Sequence, residues 1–145
     1  MSTTTVITKI RSASREIVRQ LGLLENKFAS IGSVSQCHAI VELHFQGKMN
    51  LNQLSEALNL EKSTTSRLVM QLEEDGICNL ETGRSDRRNK IISITQKGAD
   101  LVQQINAESN KQVKQALQTL SEEERNMVVV GLTLYAQALK NTSNL

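Results

Sequence analysis

The 145 residues carry 39% apolar and 22% charged side chains, enough apolar material for one globular domain and too much for a disordered chain. The formal net charge is +2, so global charge selects no partner, and no apolar run approaches the roughly 20 residues of a membrane span. The stretch MSTTTVITKIRSAS lacks the uninterrupted apolar core and small-residue cleavage site of a signal peptide, which points to a cytoplasmic protein with no membrane partner and with Cys37 and Cys78 reduced.

Proline is absent, the seven glycines are scattered, and no linker or internal repeat divides the chain. From Val6, apolar side chains recur at Ile10, Ala13, Ile17, Leu21, Leu24 and Phe28, a spacing of three or four that predicts an amphipathic helix over 6–28. Ile31 and Gly32 break it. Ser33 or Ser35 caps a second helix over about 35–46, which Gly47 stops. Asn50 or Asn52 opens a short helix with Leu54, Leu58 and Leu60 inward, and Asn59 suits the left-handed residue of a tight turn. A further helix, about 61–75, ends at Gly76. Leu68, Val69 and Leu72 form its apolar side; Ser63, Thr64, Arg67 and Gln71 form the other.

From residue 77 the period changes to two. ICNLET and NKIISIT read as strands joined by GRSDRR, with Ile92 and Ile94 on one face and Ile91, Ser93 and Thr95 on the other. A long helix follows over about 97–119. Ser121 and Glu124 then form a capping box for a last helix to about 140. Met127, Val128, Val129, Val130, Leu132, Leu134, Tyr135, Ala138 and Leu139 cover nearly all sides of that last helix, which a surface helix does not need.

Charge is balanced along the chain except at 82–90. There Arg84, Arg87, Arg88 and Lys90 face one acid, Asp86. Such a patch suits phosphate, because each neutralised phosphate releases condensed counterions; a solvated turn is the bland alternative. A helix fits the major groove of B-form DNA, where base edges differ. The helix near residue 61 offers Lys62, Ser63, Thr64, Ser66, Arg67 and Gln71. Arginine and glutamine read base edges bidentately, while serine and threonine mostly grip phosphate. A thin hairpin tipped with arginine can reach the adjacent minor groove, and Asp86 is placed to hold the Arg88 guanidinium by a charge-assisted bond.

Helix, helix, short helix, turn, helix, hairpin, helix, helix is a winged helix-turn-helix order. Here the chain resembles the MarR (multiple antibiotic resistance regulator) family. GRSDRRNKIISITQKG is similar to the family's wing: an Asp-x-Arg tip, a strand, an Ile-Thr pair and a Gly opening a long helix. LNQLSEALNLEKSTTSRLVMQLEEDGI is similar to its helix-turn-helix. The motifs cover residues 33–100 and the helix order covers the whole chain. The resemblance implies a mainly α fold with a small two-stranded wing. It makes 1–145 a single domain, with the winged helix over about 33–98 and dimerisation helices over 1–32 and 99–145. It implies that Arg88 enters the minor groove, oriented by Asp86, and that Ser63 to Arg67 and Gln71 face the major groove.

Three positions depart from the family pattern: Asn59 for a frequent Gly, Glu61 for a better cap, and Thr65 for an aliphatic. Thr65 then needs a backbone carbonyl for its hydroxyl.

Other chemistries find less support. Cys37 and His44 sit two helical turns apart, roughly 10 Å, too far to share a metal ion unaided, and His38 points elsewhere. Cys37-His38 is no catalytic pair, since adjacent helical residues diverge. Activation of Cys37 as a redox sensor requires a lowered pKa; a small buried hydrophobe is the alternative. Gly-rich phosphate loops, nucleophile elbows and usefully spaced carboxylate pairs are absent, so no enzyme and no cofactor is expected.

The expectation is a homodimeric DNA-binding repressor competing with polymerase at a pseudo-palindromic operator, with Ile10, Ile17, Leu21, Val130, Leu134 and Leu139 in the dimer interface; the resemblance implies in addition a small-molecule effector that can release it. The alternative is a dimeric winged-helix adaptor or anti-repressor without DNA binding, which the basic tip and Arg67 argue against.

Overall fold

The computed structural model describes residues 1–25, 32–83 and 86–143, with the side chains of residues 82, 83 and 86–89 outside that description. The elements run α1 (Thr3–Gln20), a 3₁₀ turn (Leu23–Glu25), α2 (Val34–Gln46), β1 (Met49–Asn50), α3 (Leu51–Leu58), α4 (Lys62–Glu74), β2 (Cys78–Gly83), β3 (Asp86–Ile94), α5 (Gln96–Leu117) and α6 (Glu122–Thr142). The fold is mainly α with one small antiparallel sheet, as the pattern of periods predicts.

Helix α1 departs from its predicted bounds at both ends. It starts at Thr3, with the Ser2 hydroxyl accepting from the Thr5 amide at 3.3 Å. It stops at Gln20 because Gly22 takes φ +74°, a left-handed geometry that ends an α-helix. The apolar spacing continues past the stop, which is why periodicity alone overran it; Phe28 lies outside the described residues.

Three helices begin with reciprocal capping boxes, each satisfying two amides that the first turn leaves without partners. Ser33 accepts from the Gln36 amide at 3.1 Å and its own amide donates to the Gln36 side chain at 3.0 Å. Asn50 and Gln53 repeat the pattern at 2.8 and 2.9 Å, and Ser121 and Glu124 repeat it at 3.1 and 3.0 Å.

The sheet has three strands, ordered β1-β3-β2, where the sequence predicts two. Met49 pairs with Ile92 and Asn50 with Ile91. A two-residue strand is too short to show a period. It forms because Gly47, at φ +80°, turns the chain out of α2 and lays Met49 and Asn50 along β3. The hairpin proper pairs Cys78 with Ile94 through Thr82 with Lys90, then shifts register between Thr82 and Gly83.

The chain divides into two compact units, Met1–Asn106 and Ala107–Leu145. The first holds the core. Ile40 and Leu43 from α2, Leu54 from α3, Val69 and Leu72 from α4, Ile77, Ile92 from β3 and Val102 from α5 are all buried together. Each such side chain contributes about 1.5–3 kcal/mol as an upper figure. Leu54 is inward as expected, and Leu58 and Leu60 are half-buried. In the second unit the Arg125 guanidinium donates from Nε to the Leu117 carbonyl at 2.9 Å, tying the start of α6 to the end of α5. Helix α6 buries none of its residues.

Candidate nucleic-acid interface

Helices α3 and α4 are joined by Asn59 and Leu60, with Asn59 left-handed at φ +54°, as its side chain tolerates. The Leu60 amide donates to the Ser55 carbonyl at 3.0 Å and closes the turn. Glu61 sits at the N-cap of α4 and makes no side-chain cap bond. The first amides of α4 therefore keep the partial positive charge of a helix N-terminus, with Lys62 beside them.

The inner face of α4 is fixed by Thr65, Val69 and Leu72, all buried. Thr65 is fully buried, and its hydroxyl donates to the Glu61 carbonyl at 3.0 Å, which supplies the partner that its polarity requires. With that face committed to the core, Lys62, Ser63, Arg67 and Gln71 are exposed, and Thr64 and Ser66 are half-buried. Gln71 is not idle. Its amide donates to the Asp75 carboxylate at 3.2 Å. A bond of this kind is worth about 1 kcal/mol, which a base edge that makes two bonds can displace.

The wing is anchored by one threonine. Thr95 follows β3 directly, and its hydroxyl proton is shared between the Gly76 carbonyl at 2.7 Å and the Ile77 carbonyl at 2.9 Å. The same oxygen accepts from the Gly98 amide at 3.2 Å, and the Thr95 amide donates to the Ile77 carbonyl at 3.0 Å. Lys97 adds a bond from Nζ to the Asp75 carbonyl at 2.7 Å, which places a cation on the C-terminal carbonyls of α4. A Cβ on Gly98 would collide with the Ile94 side chain and the Ile77 carbonyl. The Ile-Thr pair and following glycine of the wing motif are thus a joint between the end of α4, the start of β2 and the start of α5.

Of the predicted tip, Lys90 is exposed on β3. Arg84 lies outside the described residues. Asp86, Arg87 and Arg88 lie on β3 by their backbone, and their side chains, with the expected Asp86–Arg88 bond, lie outside the description. Lys48, just before β1, and Glu81 on β2 form an exposed ion pair at 3.9 Å, a contact that contributes little. Among the dimerisation candidates, Ile10 and Ile17 on α1, Leu21 at its C-cap, and Val130, Leu134 and Leu139 on α6 are all exposed.

Two features escaped the sequence reading. Met70 stands 58% exposed on α4; its helical angle, roughly 100° from Val69, is the signal that separates it from the core side. The Thr95 joint was visible only as a motif, since the carbonyls that it holds are 18 and 19 residues away.

The cysteines are buried thiols that form no disulfide. Burial pushes the Cys37 thiol up. Cys78 is pushed up to about 11, first by burial and then by the nearby Glu73 charge, and its Sγ lies 3.7 Å from the Val69 carbonyl. Raised thiols hold less thiolate, the form that reacts with oxidants. Among the described residues no group of three or more His, Cys, Asp or Glu side chains gathers to hold a metal ion, and no helix is long and apolar enough to cross a membrane.

Comparison with known proteins agrees with this geometry. The MarR family model matches residues 33–90, which span α2 through most of the wing. YfiV of Bacillus subtilis, an uncharacterised helix-turn-helix-type transcriptional regulator, is 25% identical over 109 residues, covering 75% of this chain and 68% of that protein. FabT of Streptococcus pneumoniae, solved in complex with DNA, shares the fold with a TM-score of 0.75 at 20% identity, over 97% of this chain and 99% of that one. BpsR of Bordetella bronchiseptica, whose DNA binding is regulated by 6-hydroxynicotinic acid, gives 0.72 at 19% identity, over 91% and 98%. With the family segment seated on the helix-turn-helix and most of its wing, residues 33–90 are similar to the MarR family of transcriptional regulators.

Proposed function

We propose that this regulator is a homodimeric, sequence-specific DNA-binding repressor. The observation that carries the reading is the outer face of α4. Its inner side is locked into the core, and Lys62, Ser63, Thr64, Ser66, Arg67 and Gln71 are left toward solvent beside an uncapped helix start. In this reading α4 lies in the major groove and its first amides and Lys62 grip a phosphate. Arg84, Arg87, Arg88 and Lys90 follow the adjacent minor groove, with Asp86 holding Arg88. A cytoplasmic location fits DNA binding of this kind.

Dimerisation is supported by the apolar side chains that the terminal helices leave exposed: Ile10, Ile17 and the C-cap Leu21 at α1, Val130, Leu134 and Leu139 on α6. A two-fold dimer matches half-sites about one helical turn apart. Repression follows if the operator overlaps the polymerase site. The DNA complex of FabT and the ligand control of BpsR support DNA as partner and a small molecule as effector. Such an effector acts only through unequal affinity for the two states of the dimer.

Fluorescence anisotropy against duplexes that tile the upstream region of the regulator's own gene, at two salt concentrations, tests the reading. One tile should bind tightly and lose affinity steeply as salt rises. Arg67→Ala and Arg88→Ala should each weaken that binding by about 1–3 kcal/mol with the dimer intact. Weak binding, equal on all tiles and unmoved by both substitutions, overturns it.

A further inference from the structure

Met70 is out of character with its face of α4. The flanking Val69 and Leu72 are 2% and 1% exposed, whereas Met70 is 58% exposed. The helix does not need methionine there, since Lys, Gln and Glu have similar helix propensity and would be hydrated at no cost. At 3.6 residues per turn, Met70 falls roughly 20° from Ser63, two turns on, and roughly 60° from Arg67. Gln71 falls about 40° from Arg67 on the other side. Met70 and Gln71 therefore straddle Arg67 along one exposed strip.

That setting limits what can cover the thioether. Ser63, Arg67 and Gln71 present donors and acceptors that suit base edges, so an apolar protein surface laid over the strip would strand them. The major groove supplies an apolar group among its polar edges, the C5 methyl of thymine. An unbranched, polarisable methionine adapts to a rounded methyl better than a branched side chain does. We infer that Met70 is a specificity-determining residue that selects thymine by packing on its methyl group. The rise from Arg67 to Met70 is about 4.5 Å, a little over one base step of about 3.4 Å. The thymine should therefore lie within two base pairs of the base that Arg67 reads.

This inference rests on α4 occupying the major groove, and its test separates the two. On the duplex identified by tiling, each thymine is replaced singly by deoxyuridine, which deletes the methyl and keeps every hydrogen-bonding group. The wild type should lose roughly fourfold in affinity at one thymine per half-site, the worth of one buried methyl. Met70→Ala should bind the unmodified duplex more weakly by a similar factor and should no longer distinguish thymine from uracil there. Met70→Leu should keep the discrimination, and Arg67→Ala should keep it on a weaker baseline. A wild type indifferent to methyl deletion at every thymine, a Met70→Ala variant that still discriminates, or one with unaltered affinity overturns the role of Met70 while leaving DNA recognition in place. A protein that binds no duplex specifically overturns both.

Discussion

The helix-turn-helix region and the terminal helices solve opposite problems. Between α2 and the start of α5, side chains from four helices and three strands close over one another, and Leu54 and Ile92 are fully buried. Helices α1 and α6 bury none of their residues, yet α6 carries Met127, Val128, Val129, Val130, Leu132, Leu134, Tyr135 and Leu139 in the open. The first region specifies its structure with its own atoms. The second holds apolar surface whose burial the single chain does not provide, which a monomer with no partner has no reason to keep. In the proposed reading, stability and assembly are therefore written in different stretches of the sequence and should respond to different substitutions.

Leu54→Ala should cost the folded protein about 2–5 kcal/mol, because the site is enclosed on all sides and cannot collapse; chemical denaturation reads it as a lower midpoint at unchanged slope. Leu134→Asp should do the reverse. A surface change on a helix moves stability by about 0.5 kcal/mol or less, while a carboxylate in the proposed interface should abolish the dimer at low micromolar concentration. Ultracentrifugation would read this, and a folded, dimeric Leu134→Asp would remove α6 from the interface.

A smaller effect concerns Cys78. Its folded value of about 11 stands above the ordinary 9.0. The protonated thiol is thus favoured in the folded state, and its contribution is fully present below pH 9 and lost as pH rises from 9 to 11. The loss should be on the order of 2 kcal/mol. Denaturation series at pH 8 and pH 10.5 should show it, and the fall should be shallower in Cys78→Ala. The smallest expected change is at Glu61. Glu61→Ser supplies the side-chain cap that α4 lacks and should stabilise the fold by about 1 kcal/mol. Because a serine hydroxyl then competes with phosphate for the same amides, the variant should also bind DNA no better than the wild type, which anisotropy would check.

What the sequence made legible followed from local rules. Ser33, Asn50 and Ser121 open helices because a short polar side chain reaches an amide three residues on, and each is visible as a letter in the right place. Asn59 in its left-handed turn and Thr65 bonding to Glu61 were legible for the same reason. The misses depend on distance or on length. The spacing from Val6 to Phe28 ran through Gly22, since periodicity reports which face is apolar and is silent on where the helix ends. The strand Met49–Asn50 is defined wholly by its partner β3, more than 40 residues on. In the candidate site, the polar face of α4 could be drawn from the sequence. The exposed Met70 was hidden because an apolar letter beside Val69 reads as core until the opposite face is known to be filled.

The Thr95 joint has a mechanical consequence. The Gly76 and Ile77 carbonyls, in the link between α4 and β2, and the first turn of α5 meet at one hydroxyl, with Gly98 packed so tightly that a single added carbon has no place. Such a corner has no slack. A rotation of the first turn of α5 should therefore pass through this corner toward the end of α4 rather than be taken up as bending, much as a meshed gear turns its neighbour. In the proposed reading, the pitch at which α4 meets a groove is then geared to α5, with one oxygen atom as the tooth.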